Sequence, residues 1–285
     1  MRKTNDFVLH SERAPAKINL ALHVLGRRSD GYHELDSIVA FAGVADRLAF
    51  AAAEDWRLDI VGPFAAGLAS GDDNLVLKAA RAFSAAFPAD SQMYHVTLEK
   101  NLPLASGIGG GSADAAACLR ALSSLAGEMD GERLRAVAAG LGADVPVCLL
   151  SQACRMRGAG ERIDILERME PLPAVLINPR QEVATAEVFA RLALRPGDTA
   201  FAGLAAGADL ASYRNDLMEP ALAVAPVIGE VMEALQSAPD LHFARMSGSG
   251  ATCFGIFPSS GEAQAAALEI MSARPDWWVM PTMIG

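Results

Sequence analysis

Gly107, Gly109, Gly110 and Gly111 put four glycines into five positions. The run around them reads Pro103-Leu104-Ala105-Ser106-Gly107-Ile108-Gly109-Gly110-Gly111-Ser112, and it passes directly into Ala113-Asp114-Ala115-Ala116-Ala117. Glycine admits positive φ and lets a ligand approach the main chain closely. A helix start presents unpaired N–H groups and the positive end of the helix dipole. Glycines followed by a helix therefore suit an anion, and phosphate above all; the alternative is a turn that merely joins strand to helix. Two familiar phosphate motifs are excluded by spacing. A Walker loop needs G-x-x-x-x-G-K-[ST], and no Lys or Arg lies between Pro103 and Ala117. The dinucleotide fingerprint needs a third glycine where Ser112 or Asp114 stands.

Two charged residues elsewhere have the chemistry to act on a phosphate-bound substrate. Lys17 opens the run Lys17-Ile18-Asn19-Leu20-Ala21-Leu22-His23-Val24, which alternates as a half-buried strand does. Lys17, Asn19 and His23 share one face at spacings of about 7 Å; that face either lines a cleft or is solvated. Asp144 lies in Gly142-Ala143-Asp144-Val145-Pro146, between a helix end and an apolar run. It is either a capping carboxylate or, near a phosphate, a general base.

These groups must be carried by a regular framework. Residues 95–99 read as a strand entering the glycine run, and residues 112–125 as the helix leaving it. Strands are expected over 35–41, 47–52, 56–61 and 147–150, with Pro146 keeping Val145 extended. Asp72-Asp73-Asn74 can cap a helix over 75–87, and a further helix over 132–141 ends at Gly140 and Gly142. From residue 159 the order is strand 174–178, helix 185–194, a loose segment 195–211, helix 226–237, strands 242–246 and 252–257, helix 262–274 and strand 277–280. That order resembles a ferredoxin-like split βαβ unit. Met246-Ser247-Gly248-Ser249-Gly250-Ala251 is a second small-residue loop, either a hairpin turn or a backbone that packs against the first glycine loop.

Composition bounds the rest. The chain has 285 residues, 52% of them hydrophobic, and a net charge of −10. The length fits one or two domains, and an acidic surface argues against nucleic acid and anionic membranes as partners. Cys118, Cys148, Cys154 and Cys253 have neither zinc nor disulfide spacing, so reduced thiols in a cytoplasmic protein are expected. Residues 1–13 hold charges but no apolar signal core.

Residues 103–117 together with Ser247-Gly248-Ser249-Gly250 resemble the loops of the GHMP kinase superfamily, which includes galactokinase, homoserine kinase, mevalonate kinase and phosphomevalonate kinase. Further matches are Ala14-Pro15-Ala16-Lys17-Ile18-Asn19-Leu20, Arg28-Ser29-Asp30-Gly31-Tyr32-His33-Glu34, Asp73-Asn74-Leu75-Val76, Gly142-Ala143-Asp144-Val145-Pro146, Gly158-Ala159-Gly160-Glu161 and Arg214-Asn215-Asp216-Leu217. One departure is Ala105, where many members have Gly; Ala is tolerable there if its φ is negative, so the departure bears only on the fine shape of the loop. The resemblance implies an α+β, two-lobed fold, with an ATP-binding, ribosomal protein S5 domain 2-like N-terminal lobe (1–160) and a ferredoxin-like C-terminal lobe (161–285). It also implies ATP and Mg²⁺, and phosphorylation of the 2-hydroxyl of the small molecule 4-diphosphocytidyl-2-C-methyl-D-erythritol in isoprenoid precursor synthesis, by a monomer or weak homodimer.

Site roles follow from the resemblance alone. Lys17 and Asp144 would be catalytic. Pro103, Leu104, Ala105, Ser106, Gly107, Ile108, Gly109, Gly110, Gly111 and Ser112 would hold the triphosphate, with Ser112 also approaching the metal. Asn74 and Lys100 would meet adenine. Asn19, Tyr32, His33, Asp144, Thr185 and Phe189 would meet the second substrate, Tyr32 and Phe189 sandwiching cytosine and His33 hydrogen-bonding it. Thr185 has a second reading as a helix cap. A sister kinase acting on homoserine or a mevalonate, or a nucleotide sensor without catalysis, is the rival interpretation.

Overall fold

The computed structural model describes residues 7–89, 92–205 and 207–285. Residues 1–6 of the N-terminal stretch lie outside them. Two compact units emerge, and neither is a consecutive stretch of chain: one comprises Met1–Ala16, Ala45–Leu102 and Gly110–Leu150, the other Lys17–Val44, Pro103–Gly109 and Ser151–Gly285. The long strands β1 (His10–Arg27) and β2 (His33–Ala52) each contribute to both. The expected strands over 35–41 and 47–52 are thus one continuous element.

In the first unit, β2 pairs antiparallel with β4 (Tyr94–Glu99), Arg47 opposite Glu99 and Ala52 opposite Tyr94. Strand β4 runs parallel to β3 (Arg57–Val61), so the chain between them is a crossover carrying α1 (Leu75–Ala86). Helices α2 (Gly110–Leu125) and α3 (Gly131–Leu141) pack with α1 and with each other, and α4 (Val145–Leu150) packs against α2 and α3. Ala113, Ala115, Ala116, Ala117 and Ala121 of α2 are buried, and side chains this small let neighbouring helices approach closely. Helix α4 replaces the strand expected over 147–150. Pro146 lacks an N–H only where a first helical turn needs no acceptor, and the Cys148 N–H donates to the Asp144 carbonyl at 3.1 Å. Val145 is accordingly helical, not extended.

In the second unit, β5 (Cys154–Gly158) lies antiparallel between β2 and β6 (Arg162–Ile165). The remaining elements are β7 (Leu172–Asn178), α5 (Thr185–Arg191), α6 (Met218–Val224), α7 (Val227–Gln236), β8 (Phe243–Met246), β9 (Cys253–Ile256), α8 (Ser260–Ala273) and β10 (Trp278–Ile284). Their sheet order is β10-β7-β9-β8, antiparallel throughout. This is the ferredoxin-like arrangement expected from the element order. Val175, Ile177, Val231, Leu235, Phe257 and Ile270 belong to its core.

The segment 195–211, loose by composition, is tied down from several sides. Phe201 N–H donates to the Val24 carbonyl at 3.0 Å, Leu204 N–H to the Asp36 carboxylate at 2.9 Å, and His23 Nδ1 lies 2.9 Å from the Ala202 carbonyl oxygen. The buried Arg245 donates to the carbonyls of Leu20, Leu210, Ala211 and Tyr213, and burial lowers its pKa to about 10. An ammonium cannot reproduce that planar fork of donors. Arg245→Lys is expected to cost about 2 kcal/mol or more, read from the urea unfolding midpoint.

Candidate active site

The glycine loop is built into the second unit by backbone contacts. Lys17 N–H of β1 donates to the Ile108 carbonyl at 2.9 Å, Thr252 N–H to the Ser106 carbonyl at 3.0 Å, and Val183 N–H to the Ala105 carbonyl at 3.1 Å. The loop 247–250 both closes the β8–β9 hairpin and packs onto the glycine loop. A Cβ at Gly107 would stand 2.4 Å from the Ser247 carbonyl oxygen, and one at Gly248 would stand 2.5 Å from the Gly107 oxygen. Both glycines also have positive φ, 77° and 55°. Ser247 Oγ accepts from Asn19 N–H at 3.0 Å and donates to the Gly107 carbonyl at 3.0 Å. Asn215 Nδ2 donates to the Met246 and Gly248 carbonyls, both at 2.8 Å, so the 214–217 motif acts as a strut for this loop. Ser106 Oγ donates to the Pro103 carbonyl at 2.7 Å. Ala105 has φ 42° rather than a negative value, and occupies a left-handed conformation that costs an alanine about 1–2 kcal/mol.

Lys17 and Asn19 are buried, at 4% and 1% exposure. The face they share on β1 is not solvated, and His23 on it is buried too. The Lys17 side chain runs past Gly109, where a Cβ would lie 3.3 Å from Lys17 Cβ. Asn19 Nδ2 donates to Ser37 Oγ at 2.8 Å, and Ser37 Oγ passes the bond on to the Ala21 carbonyl. Asn19 Oδ1 is buried without a partner.

The His33 and Phe189 rings stand 4.7 Å apart at 34°, and His33 Nε2 is likewise buried and unpartnered. Burial, aided by the Arg27 charge, lowers the His33 pKa, so at neutral pH the ring has one donor and one acceptor. Tyr32 is 63% exposed. Thr185 does not cap α5, whose N-cap is Ala184; its hydroxyl pairs with Ser249 Oγ at 2.9 Å.

In the first unit, Asn74 caps α1: its Oδ1 accepts from Val76 N–H and its Nδ2 donates to the Ala69 carbonyl, both at 2.9 Å. The Lys100 ammonium is buried between Asp46 and Asp114, with the Asp114 contact at 2.6 Å. It stands 3.2 Å from where a Gly110 Cβ would be. The expectation that Lys100 meets adenine is thereby corrected for its side chain. Burial works to lower the Lys100 pKa, but Asp114 and Asp46 outweigh it and raise it. Burial pushes Asp114 up to about 7, helped by Asp46 and opposed by Lys100. Asp46 also accepts from the N–H groups of Asn101 (2.6 Å) and Leu102 (2.8 Å). Gly110, Gly111 and Ser112 form the first turn of α2, where N–H groups lack intrahelical acceptors. Nothing lies within 4 Å of a Cβ built at Gly111. Asp144, half-buried, precedes α4. Lys17 belongs to the second unit and Asp144 to the first.

Within the first unit the open glycine turn at the start of α2 suits an anion; within the second, Gly109, with positive φ, lies beside the buried Lys17. Among the described residues no group of three or more His, Cys, Asp or Glu could hold a metal ion. The sequence pointed to the 246–251 loop but not to the hydroxyl bonds of Ser247 and Ser249, and it missed Ser37, Asp46 and Asp114 as supports. Only Asp114 carried a local signal, an acid inside an alanine-rich helical face.

The GHMP kinases N terminal domain matches residues 74–152, and the GHMP kinases C terminal domain matches residues 200–275. A 4-diphosphocytidyl-2-C-methyl-D-erythritol kinase of Bradyrhizobium sp. (strain ORS 278) is 48% identical, with 94% of each chain covered. One from Methylorubrum extorquens is 50% identical, over 95% of this chain and 98% of its own. The chain belongs to this family of GHMP kinases. A crystal structure of a 4-(cytidine 5'-diphospho)-2C-methyl-D-erythritol kinase superposes with TM-score 0.80 at 36% identity, covering 97% of this chain and all of the other. Homoserine kinase from Cytophaga hutchinsonii, at 19% identity and TM-score 0.69, shares the GHMP kinase fold.

Within that fold, Lys100 is a cation between two buried acids. Lys100→Met leaves both uncompensated and is expected to destabilise the protein by about 3–5 kcal/mol, measured by chemical denaturation.

Proposed function

We propose that this chain is an ATP-dependent kinase that phosphorylates the 2-hydroxyl of 4-diphosphocytidyl-2-C-methyl-D-erythritol, in the non-mevalonate route to isopentenyl diphosphate. The observation that carries the reading is near-half identity, over almost the whole chain, to relatives bearing that name. The unpartnered Asn19 Oδ1 and His33 Nε2, buried polar atoms that otherwise cost free energy, support it.

Phosphoryl transfer depends on positioning and on electrostatic stabilisation rather than on covalent chemistry by the protein. Residues 103–112 hold the triphosphate through main-chain groups. Mg²⁺ would supply neutralisation of phosphate charge, and the Ser112 hydroxyl is the group of this chain that would approach it. Asp144 takes the hydroxyl proton, and Lys17 offsets charge at the transferring group. Asn19 Oδ1 accepts a hydrogen bond from the alcohol, and Thr185 borders it. His33 pairs with the polar edge of cytosine, whose faces meet Tyr32 and Phe189. Asn74 and the carbonyl of Lys100 border adenine. Four buried thiols suit a reducing cytoplasm.

A panel of this alcohol, homoserine and mevalonate, with ADP release as readout, tests the reading; turnover of either of the last two alone would refute it. Asp144→Asn should lower kcat by about 10²–10⁴ with KM for ATP kept. Because its pKa is lowered, His33 stays neutral through the physiological range. KM for the cytidyl substrate should be flat between pH 7 and 8 and rise in acid, as His33 gains a proton and loses its acceptor, on the general behaviour of histidine switches.

A further inference from the structure

The motif Gly158-Ala159-Gly160-Glu161 has no part in the chemistry above, yet its carboxylate is carefully seated. A Cβ at Gly158, whose φ is 76°, would stand 2.3 Å from Glu161 Oε1 and 2.5 Å from Oε2. Only a glycine leaves that volume to the carboxylate, which also accepts from Ala159 N–H at 2.6 Å. Strand register brings this turn level with the cytosine loop, since Leu35 of β2 pairs with Gly158 of β5 and His33 is two residues before Leu35.

Across that gap runs a lattice of alternating charge. Arg28 Nη1 donates to Glu161 Oε1 at 2.9 Å and stands 3.9 Å from Glu34, while Arg28 Nη2 meets Asp30 at 2.8 Å. Arg162, next to Glu161, closes the lattice on Glu34. Arg28 is also the backbone hinge of the loop. Its N–H donates to the Tyr32 carbonyl at 2.7 Å, and its carbonyl accepts from Gly31 N–H at 3.0 Å. The residue whose guanidinium meets Glu161 is thus bonded through its main chain to Tyr32 and to Gly31 beside it.

We infer that Glu161, through Arg28, is a positioning residue for nucleobase specificity: it sets the conformation of residues 28–33 and hence the placing of Tyr32 and His33. This rests on the proposed function for the identity of the base. A single exposed ion pair contributes little, but several charges in one lattice act together, and screening by salt weakens them.

The test is Glu161→Gln, beside the charge-keeping Glu161→Asp. Glu161→Gln should raise KM for the cytidyl substrate about three- to tenfold with kcat and KM for ATP unchanged, and Glu161→Asp should lose less. Added NaCl should raise the wild-type KM more steeply than that of Glu161→Gln. An unchanged KM, or an equal fall in kcat and in ATP binding, overturns the role. Hydrogen exchange of residues 28–34 in the ligand-free enzyme gives a second readout. Faster exchange in Glu161→Gln supports the inference and unchanged exchange refutes it, even if the wild type fails to phosphorylate this alcohol and the proposed function falls.

Discussion

Two stretches of main chain touch where Gly107 meets residues 247–250, with no room for a Cβ on either side. Much of the second unit's site depends on that approach. The Ser247 hydroxyl links the Gly107 carbonyl to the N–H of Asn19, so the glycine loop, the β8–β9 hairpin and β1 are fixed by one side chain. Asn215 holds the hairpin loop from behind, and Thr252 and Val183 hold the flanks of the glycine loop. A loop held so completely orders its amides before any ligand arrives, which is what electrostatic stabilisation of a transferring group requires.

Charge has to be handled locally, because the molecule as a whole is acidic at −10. A field of that sign does not attract a polyphosphate. An anion has to be drawn by short-range groups, as the amides of a helix start can do. The buried acids are correspondingly neutralised in place. Asp36 is bound by Arg155 at 2.7 and 2.8 Å and by Leu204 N–H; burial pushes its pKa up, but those hydrogen bonds prevail and hold it low. Asp46 and Asp114 share Lys100 directly behind Gly110.

Local chemistry made much of this readable in the sequence. The strand–glycine–helix unit, the Asn74 cap and the ferredoxin-like order follow from glycine spacing, side-chain capping and periodicity. What escaped was decided by remote neighbours. The Lys17–Asn19–His23 face looks half-solvated by alternation, yet residues 202, 213 and 247, far along the chain, surround it. Lys100 looks like a ligand-facing cation until Asp46 and Asp114, far apart in sequence, enclose it. Val145 obeys helix-start logic rather than the pre-proline rule because Asp144 offers its carbonyl to Cys148. Ala105 takes a left-handed turn because the bonds from Val183 and Thr252 to the loop override its own preference.

Arg245 differs from the ion pairs described above. Its guanidinium is surrounded by four carbonyl oxygens rather than a carboxylate. Peptide dipoles do not titrate and are not exchanged for dissolved chloride. The tether between β1 and residues 210–213 thus persists through acidification and brine, under which the Arg28 lattice slackens. The enzyme is therefore moored at one end by a fitting indifferent to its medium and trimmed at the other by one that responds to it.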